Sequence, residues 1–148
     1  MKIRSAAIND IEALTNLFDA YRVFYNKPSD LKTARAFLTD RIYNKDSTIL
    51  IVENSEGVLT GFVQMYPLFS STRMKPLWLL NDLFVFAEFR GLGYSIALID
   101  ACKDLCRKTG ACGLMLETAK DNIIGNTLYK KTGFTLDNDH NYYEWETI

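Results

Sequence analysis

Leu77-Trp78-Leu79-Leu80-Asn81-Asp82-Leu83-Phe84-Val85-Phe86, followed after three residues by Arg90-Gly91-Leu92-Gly93-Tyr94-Ser95, is the stretch on which the architecture turns. The first run is apolar on both sides of a period-two strand, which suits a central strand better than a half-solvated edge. The glycine-containing run then opens a helix with Ile96, Leu98, Ile99, Cys102, Leu105 and Cys106 on its buried side and an end near Gly110. A strand, a tight turn and a helix N-terminus in that order gather backbone N–H groups around one point, where the helix dipole favours an anion. Gly91 and Gly93 permit close backbone approach, and Arg90 supplies charge at the mouth. For these residues alone, a tight turn without a ligand is the competing reading.

Upstream, residues 2–7 read as a short strand, and Asn9 or Asp10 as the cap of a helix carrying Ile11, Leu14, Leu17, Phe18, Tyr21 and Tyr25 at the 3.6 period. Beyond Pro28 a second helix shows Leu31, Ala34, Leu38 and Ile42 on one face. Residues 48–52 and 58–69 flank the turn Ser55-Glu56-Gly57 and form a hairpin. Downstream, residues 113–117 read as a strand, 123–131 as a short helix stopped by Gly133, and 134–136 and 142–146 as final strands. The expected class is α+β in α/β/α layers, with one domain over residues 1–148.

The composition fits that class. Of 148 residues, 48% are hydrophobic and 24% charged, enough for an apolar core without disulfides or metal. Seventeen basic against eighteen acidic residues leave a net charge of -1, so no long-range field gathers polyphosphate and nucleic acid is not an expected partner. No run approaches the ~20 apolar residues of a membrane span, and the start lacks a secretory pattern, so a cytoplasmic protein away from membranes is expected. Cys102, Cys106 and Cys112 with the single His140 complete no zinc set, which points to reduced thiols and no metal. The glycines are followed neither by Lys-Ser/Thr nor by a third glycine, which counts against ATP and NAD.

Residues 77–134 resemble the GCN5-related N-acetyltransferase (GNAT) superfamily, with a looser similarity in the helical N-terminal half. That family's pyrophosphate loop, Arg/Gln, two residues, Gly, one residue, Gly/Ala, is matched by Arg90, Gly93 and Ser95. Its later motif is matched by Asn122, Gly125, Tyr129 and Gly133-Phe134, with Gly125 in place of the usual Ala. The resemblance implies a mixed, mostly antiparallel sheet with splayed central strands and about four helices. It also implies acetyl-CoA as co-substrate, with its thioester arm on the main chain of Leu83, Phe84 and Val85. The pyrophosphate would lie on Arg90, Gly91, Leu92, Gly93, Tyr94 and Ser95, with Asn122 as a further cofactor contact.

By the same resemblance Tyr129 is the catalytic proton donor beside the CoA sulfur. A free phenol (pKa ~10) is a weaker acid than a free thiol (~8.5), so full transfer is uphill by ~2 kcal/mol and hydrogen bonding to the emerging thiolate is the main contribution. Simple packing is the competing role of this tyrosine. Asp82 is the candidate base: alternation places it with Trp78, Leu80 and Phe84, where a carboxylate is costly unless it has a task or an ion-pair partner. Asn81-Asp82-Leu83-Phe84-Val85 is similar to the diamine (spermidine/spermine) acetyltransferases, which carry Glu-Asp where this chain has Asn81-Asp82, so a base at 81 is lost. Glu117 is a second carboxylate candidate, His140 reads as a solvated loop residue, and Tyr21, Phe24, Tyr25, Tyr66, Phe69 and Trp78 are candidates to line an acceptor pocket. The activity implied is direct acetyl transfer to a primary amine of a small molecule. The alternatives are acetylation of a protein lysine or N-terminus, and an inactive acyl-CoA-binding sensor. The family's frequent dimerisation makes a homodimer through the 142–145 segment an expectation.

Overall fold

A computed structural model describes residues 1–147, which fall into two compact units, one over residues 1–117 and one from residue 118 onward. In the first unit, β1 (Lys2–Ser5) is followed by α1 (Ile11–Phe24) and α2 (Leu31–Asn44). The strands β2 (Thr48–Glu53), β3 (Leu59–Ser70) and β4 (Lys75–Val85) come next, then α3 (Tyr94–Thr109) and the short β5 (Leu114–Met115). The sheet runs β1-β2-β3-β4-β5, antiparallel except for the parallel β4–β5 pair. This is the mixed α+β sheet expected, with β4 inside it.

Helices α1 and α2 cover one face. Leu14, Leu17 and Leu38 are fully buried there against Ile51 of β2 and Phe62 of β3, each contributing ~1.5–3 kcal/mol by removal from water. The Phe62 ring meets Phe18 at 6.1 Å and Tyr21 at 5.9 Å, both edge-on, the orientation that the ring quadrupole favours. Helix α3 packs on the opposite face with Leu98, Ile99 and Cys102 fully buried. Cys102 and Cys106 point inward without a bridge, as their spacing suggested, and burial pushes the Cys102 thiol up to about 12.

The capping expectation at Asp10 needs correction. Ile8–Asp10 forms a 3-10 turn ahead of α1, and the Asp10 carboxylate accepts from Arg4 Nη1 at 2.7 Å and from the Ala7 N–H at 2.8 Å, leaving no side-chain cap on α1. At α2, Asp30 caps instead, accepting from the Thr33 N–H at 3.0 Å. Its own N–H donates to the buried Asp19, which fastens the α1–α2 connection.

One irregularity sets the geometry of β4. Leu80 is opposite Met65 and Asp82 is opposite Gln64, so Asn81 is an extra residue, a β-bulge. Because Gln64 and Met65 are neighbours on β3, Leu80 and Asp82 lie on opposite faces. The plain alternation that grouped Asp82 with Trp78 and Leu80 therefore fails. Asp82 joins Phe84 and, across the bulge, Leu79 on the α1/α2 face, whereas Leu80 faces α3.

The second unit contains α4 (Ile123–Lys131), with the bounds expected between Asn122 and Gly133. Asn122 caps it, Oδ1 accepting from the Gly125 N–H at 3.0 Å while Nδ2 donates to Thr118 Oγ1 at 2.9 Å. A Cβ at 125 would meet Asn122 Nδ2 at 2.5 Å, so alanine there would require the capping amide to shift. The strands expected at 134–136 and 142–146 are absent among the described residues. Asp137 Oδ1 accepts from the N–H groups of both Asp139 and His140, a local turn that ends the extended run, and a lone two-stranded pairing is at best marginal in water.

Candidate active site

The bulge at Asn81 has a consequence for the free edge of β4. Pairing with β5 consists of Trp78↔Leu114 and Leu79↔Met115 and stops just before it. A bulge bends its strand and increases the local twist, and beyond it β4 separates from β5 while continuing along β3 to Val85. The Phe86 N–H donates to Thr60 O at 3.0 Å, so Phe84 and Phe86 direct their peptide groups at β3 and Leu83 and Val85 direct theirs to the open side. Of the three residues expected there, Leu83 thus turns its N–H and carbonyl to the open side and Val85 its N–H, the Val85 carbonyl being engaged by Arg90, while the Phe84 peptide groups face β3.

The chain leaves this edge through a 3-10 turn, Ala87–Phe89, and enters α3 by way of Gly91 (φ 78°) and Gly93 (φ 86°). Side-chain-bearing residues rarely adopt those angles. Nothing lies within 4 Å of a Cβ built on either glycine, so the turn is open on that side. Gly93 is the N-cap of the sixteen-residue α3, and no side chain caps that end. The backbone N–H groups of its first turn, those of Tyr94 and Ser95 among them, have no partner within the helix and point out of its N-terminal end.

Arg90 departs from its expected place at the mouth of the turn. Its Nε donates to the Val85 carbonyl at 3.1 Å, and its guanidinium lies 5.4 Å from the Phe24 ring centroid and 5.6 Å from that of Phe84. A carbonyl without a strand partner and two aromatic faces form the nearer attraction. The side chain braces the turn against the end of β4 and the last turn of α1.

On the α1/α2 face, Asp82 is only 4% exposed. It accepts from Gln64 Nε2 at 2.9 Å, from Asn81 Nδ2 at 3.1 Å and from the Tyr21 hydroxyl. Among the described residues no Lys, Arg or His stands within ion-pair distance, so the ion-pair alternative is not what the structure contains. Burial pushes its carboxyl above the ordinary carboxylate value, and the three donors restrain that rise. Tyr25 and Tyr66 share the neighbourhood. Burial, and then the Asp82 charge, raises both phenols, Tyr66 to about 12.

Of the aromatic residues expected to line an acceptor pocket, Tyr21, Tyr25 and Tyr66 stand around Asp82, with Phe24 alongside at Phe84. Phe69 and Trp78 stand apart from this group: Phe69 is 80% exposed, and Trp78 Nε1 donates to Thr109 Oγ1 at 3.0 Å at the end of α3. Gln64 and Ser47, which complete the cluster, were missed; the signal available was a lone amide inside the apolar run of β3.

In the second unit, the Tyr129 ring packs edge-on against Phe134 at 5.8 Å. Asn122 is engaged as the α4 cap. Glu117 and His140 are exposed, and His140 Nδ1 is bonded to Asp137 at 2.8 Å. Among the described residues no three His, Cys, Asp or Glu side chains gather as a metal site, and no helix is long and apolar enough to cross a membrane.

Comparison with known proteins adds independent findings. The model of the acetyltransferase (GNAT) family matches residues 11–134, across both units. The Bacillus subtilis (strain 168) protein named "Uncharacterized N-acetyltransferase YhfO" is 42% identical over 143 residues, 97% of this chain and 95% of its own. A "Probable acetyltransferase" of Haemophilus influenzae is 30% identical over 144 residues, 97% of each chain. A crystal structure of a probable acetyltransferase superposes with a TM-score of 0.95 at 33% identity, covering 100% of this chain and 99% of the other.

Proposed function

Because the chain belongs to the acetyltransferase (GNAT) family, we propose that it moves the acetyl group of acetyl-CoA to a primary amine of a small molecule by direct attack on the thioester, all 148 residues acting as one catalytic domain. The observation that carries this reading is the open main-chain edge at Leu83 and Val85 leading into the uncapped N-terminus of α3, with a buried carboxylate lacking a counter-ion one strand position away. That edge and the Gly91–Ser95 turn fit the amide-bearing arm and the pyrophosphate of the cofactor. Acetyl-CoA, when bound, supplies the activated acyl group.

In this reading Asp82 takes the proton of the incoming ammonium, directly or through water. An alkylamine with pKa ~10.4 is neutral in only about one molecule per thousand at pH 7, so this step is required. A main-chain N–H on the open edge polarises the thioester carbonyl. The Tyr129 hydroxyl serves the departing thiolate, and Asn122 holds the α4 N-terminus that carries it. The proposal includes a cytoplasmic location and a homodimer, for which the exposed Tyr142, Tyr143 and Trp145 supply apolar side chains.

The test is CoA release from acetyl-CoA with free monoamines, diamines, amino acids, amino sugars and lysine peptides. Turnover with free amines is expected. Turnover confined to peptides would assign a protein substrate, and tight acetyl-CoA binding without release by any acceptor would assign a sensor. The active form of Asp82 is ionised and its pKa is raised, so kcat/KM is expected to fall as pH drops through a value above the ordinary carboxylate range.

Arg90→Ala is expected to weaken acetyl-CoA binding about fivefold through loss of the brace on the turn, with little change in saturated turnover. Because the guanidinium is engaged by Val85 and two rings, titration calorimetry should give the same loss at low and high salt. A loss that shrinks with salt would place the charge on phosphate instead. Arg90→Lys should resemble Arg90→Ala, because an ammonium cannot bond the carbonyl and span both rings in the same way.

A further inference from the structure

We infer that Gln64 is the positioning residue of Asp82: directly across the β3–β4 register, its amide holds the carboxylate in one orientation and favours the ionised form on a face without a counter-ion. The inference rests on the reading of Asp82 as proton acceptor. Gln64 is 0% exposed, and both of its N–H groups and its carbonyl oxygen are engaged. Oε1 accepts from Ser47 Oγ at 3.2 Å, while Nε2 donates to Asp82 Oδ2 and to the Tyr66 hydroxyl, each at 2.9 Å. Turning the amide over would set two acceptor oxygens against each other, so the arrangement is locked for as long as Asp82 is ionised.

The three donors to Asp82 differ in kind. Asn81 is an exposed bulge residue and Tyr21 belongs to a helix, so either can move independently of the sheet. Gln64 sits on the neighbouring strand at the paired position and is enclosed on every side. The titratable groups facing Asp82 are Tyr21 from α1, Tyr25 just after it and Tyr66 from β3. Arg41 of α2 and Asp46, which act on Tyr66, are paired with each other at 2.7 Å. None of these brings a positive charge to the carboxylate, so its ionisation depends on neutral donors, of which Gln64 is the fixed one. With both N–H groups occupied, Gln64 has none left for a substrate and acts only through Asp82.

The experiment is a carboxyl-carbon NMR titration of protein labelled with 13C-aspartate, the Asp82 signal being identified by its loss in Asp82→Asn. Gln64→Met keeps the length of the side chain and removes both donors. It is expected to raise the Asp82 midpoint by about one pH unit, the worth of one hydrogen bond to a charged group, and to move the acid limb of kcat/KM by the same amount with acetyl-CoA affinity unchanged. Gln64→Glu, which retains the shape and adds a like charge, should raise it further and keeps the test available if the first variant does not fold. A midpoint unmoved in both variants overturns the inference. A midpoint that rises while Asp82→Asn has the wild-type pH profile supports the holding role of Gln64 and removes Asp82 from the proton transfer, so the two readings fail separately.

Discussion

Tyr129→Phe should lower kcat roughly 100-fold, the lower range of what a positioned proton donor contributes, while acetyl-CoA affinity and the unfolding midpoint stay as in the wild type. The ring contact with Phe134 at 5.8 Å needs no hydroxyl, so phenylalanine preserves the packing of α4 and the residues after it. In the proposed reaction, what is lost is a donor for the negative charge that collects on sulfur as the thioester breaks. Since a free phenol is the weaker acid, most of the benefit comes from a hydrogen bond that strengthens in the transition state, and an interaction of that kind appears in kcat and kcat/KM alike. Stopped-flow measurement of CoA release at saturating acetyl-CoA and amine separates it from binding. An unchanged kcat, or a loss confined to cofactor affinity, would reduce Tyr129 to a packing residue.

Gly61→Ala should cost about 3 kcal/mol, at the upper end of overpacking penalties, and lower the thermal midpoint by roughly 6–12 °C. Gly61 lies opposite Val52 on one side and Val85 on the other. A Cβ there would stand 2.7 Å from the Phe84 carbonyl oxygen, 2.9 Å from Val85 Cγ2 and 3.3 Å from Val52 Cγ1. The nearest atom is backbone and cannot rotate away, so β3 and β4 must part where β4 presents its open edge. Acetyl-CoA affinity should therefore fall together with stability. Gly113→Ala is the control, because its Cβ would find only Leu77 Cδ1 at 3.5 Å and Arg73 Nη1 at 3.8 Å, ordinary contacts. Calorimetric scans that show equal midpoints for the two variants would remove Gly61 from this role.

The elements with strong local signals were legible in the chain. The α3 bounds followed from the glycine turn at one end and Gly110 at the other, and α4 from Asn122 and Gly133. The bulge was not legible, because a strand apolar on both faces shows no break in its alternation when one residue is inserted. That is why Asp82 was grouped with Leu80, from which the sheet separates it. The final strands were read from aromatic content, yet strand propensity is only a preference for a paired surface, and residues 142–146 lack one among the described residues. Gln64 was overlooked for a similar reason. A glutamine in a strand has no meaning until its cross-strand neighbour is known, and Asp82 is eighteen residues away in sequence. The glycine turn was visible in the residues themselves, whereas the orientation of Arg90 depends on where Val85 and two rings lie in space.

The extra residue in β4 also bears on how such a chain tolerates length changes. Removing Asn81 would leave each remaining β3–β4 partner opposite its present mate and every side chain on its present face. The strand would straighten, and its far edge could zip onto β5 with more ladder bonds than it now has. On the proposed reading, such a deletion mutant would be a sturdier protein with nowhere to seat a slender cofactor arm, so the opening would persist at the expense of stability, and selection acting on rigidity alone would erase it in a single step.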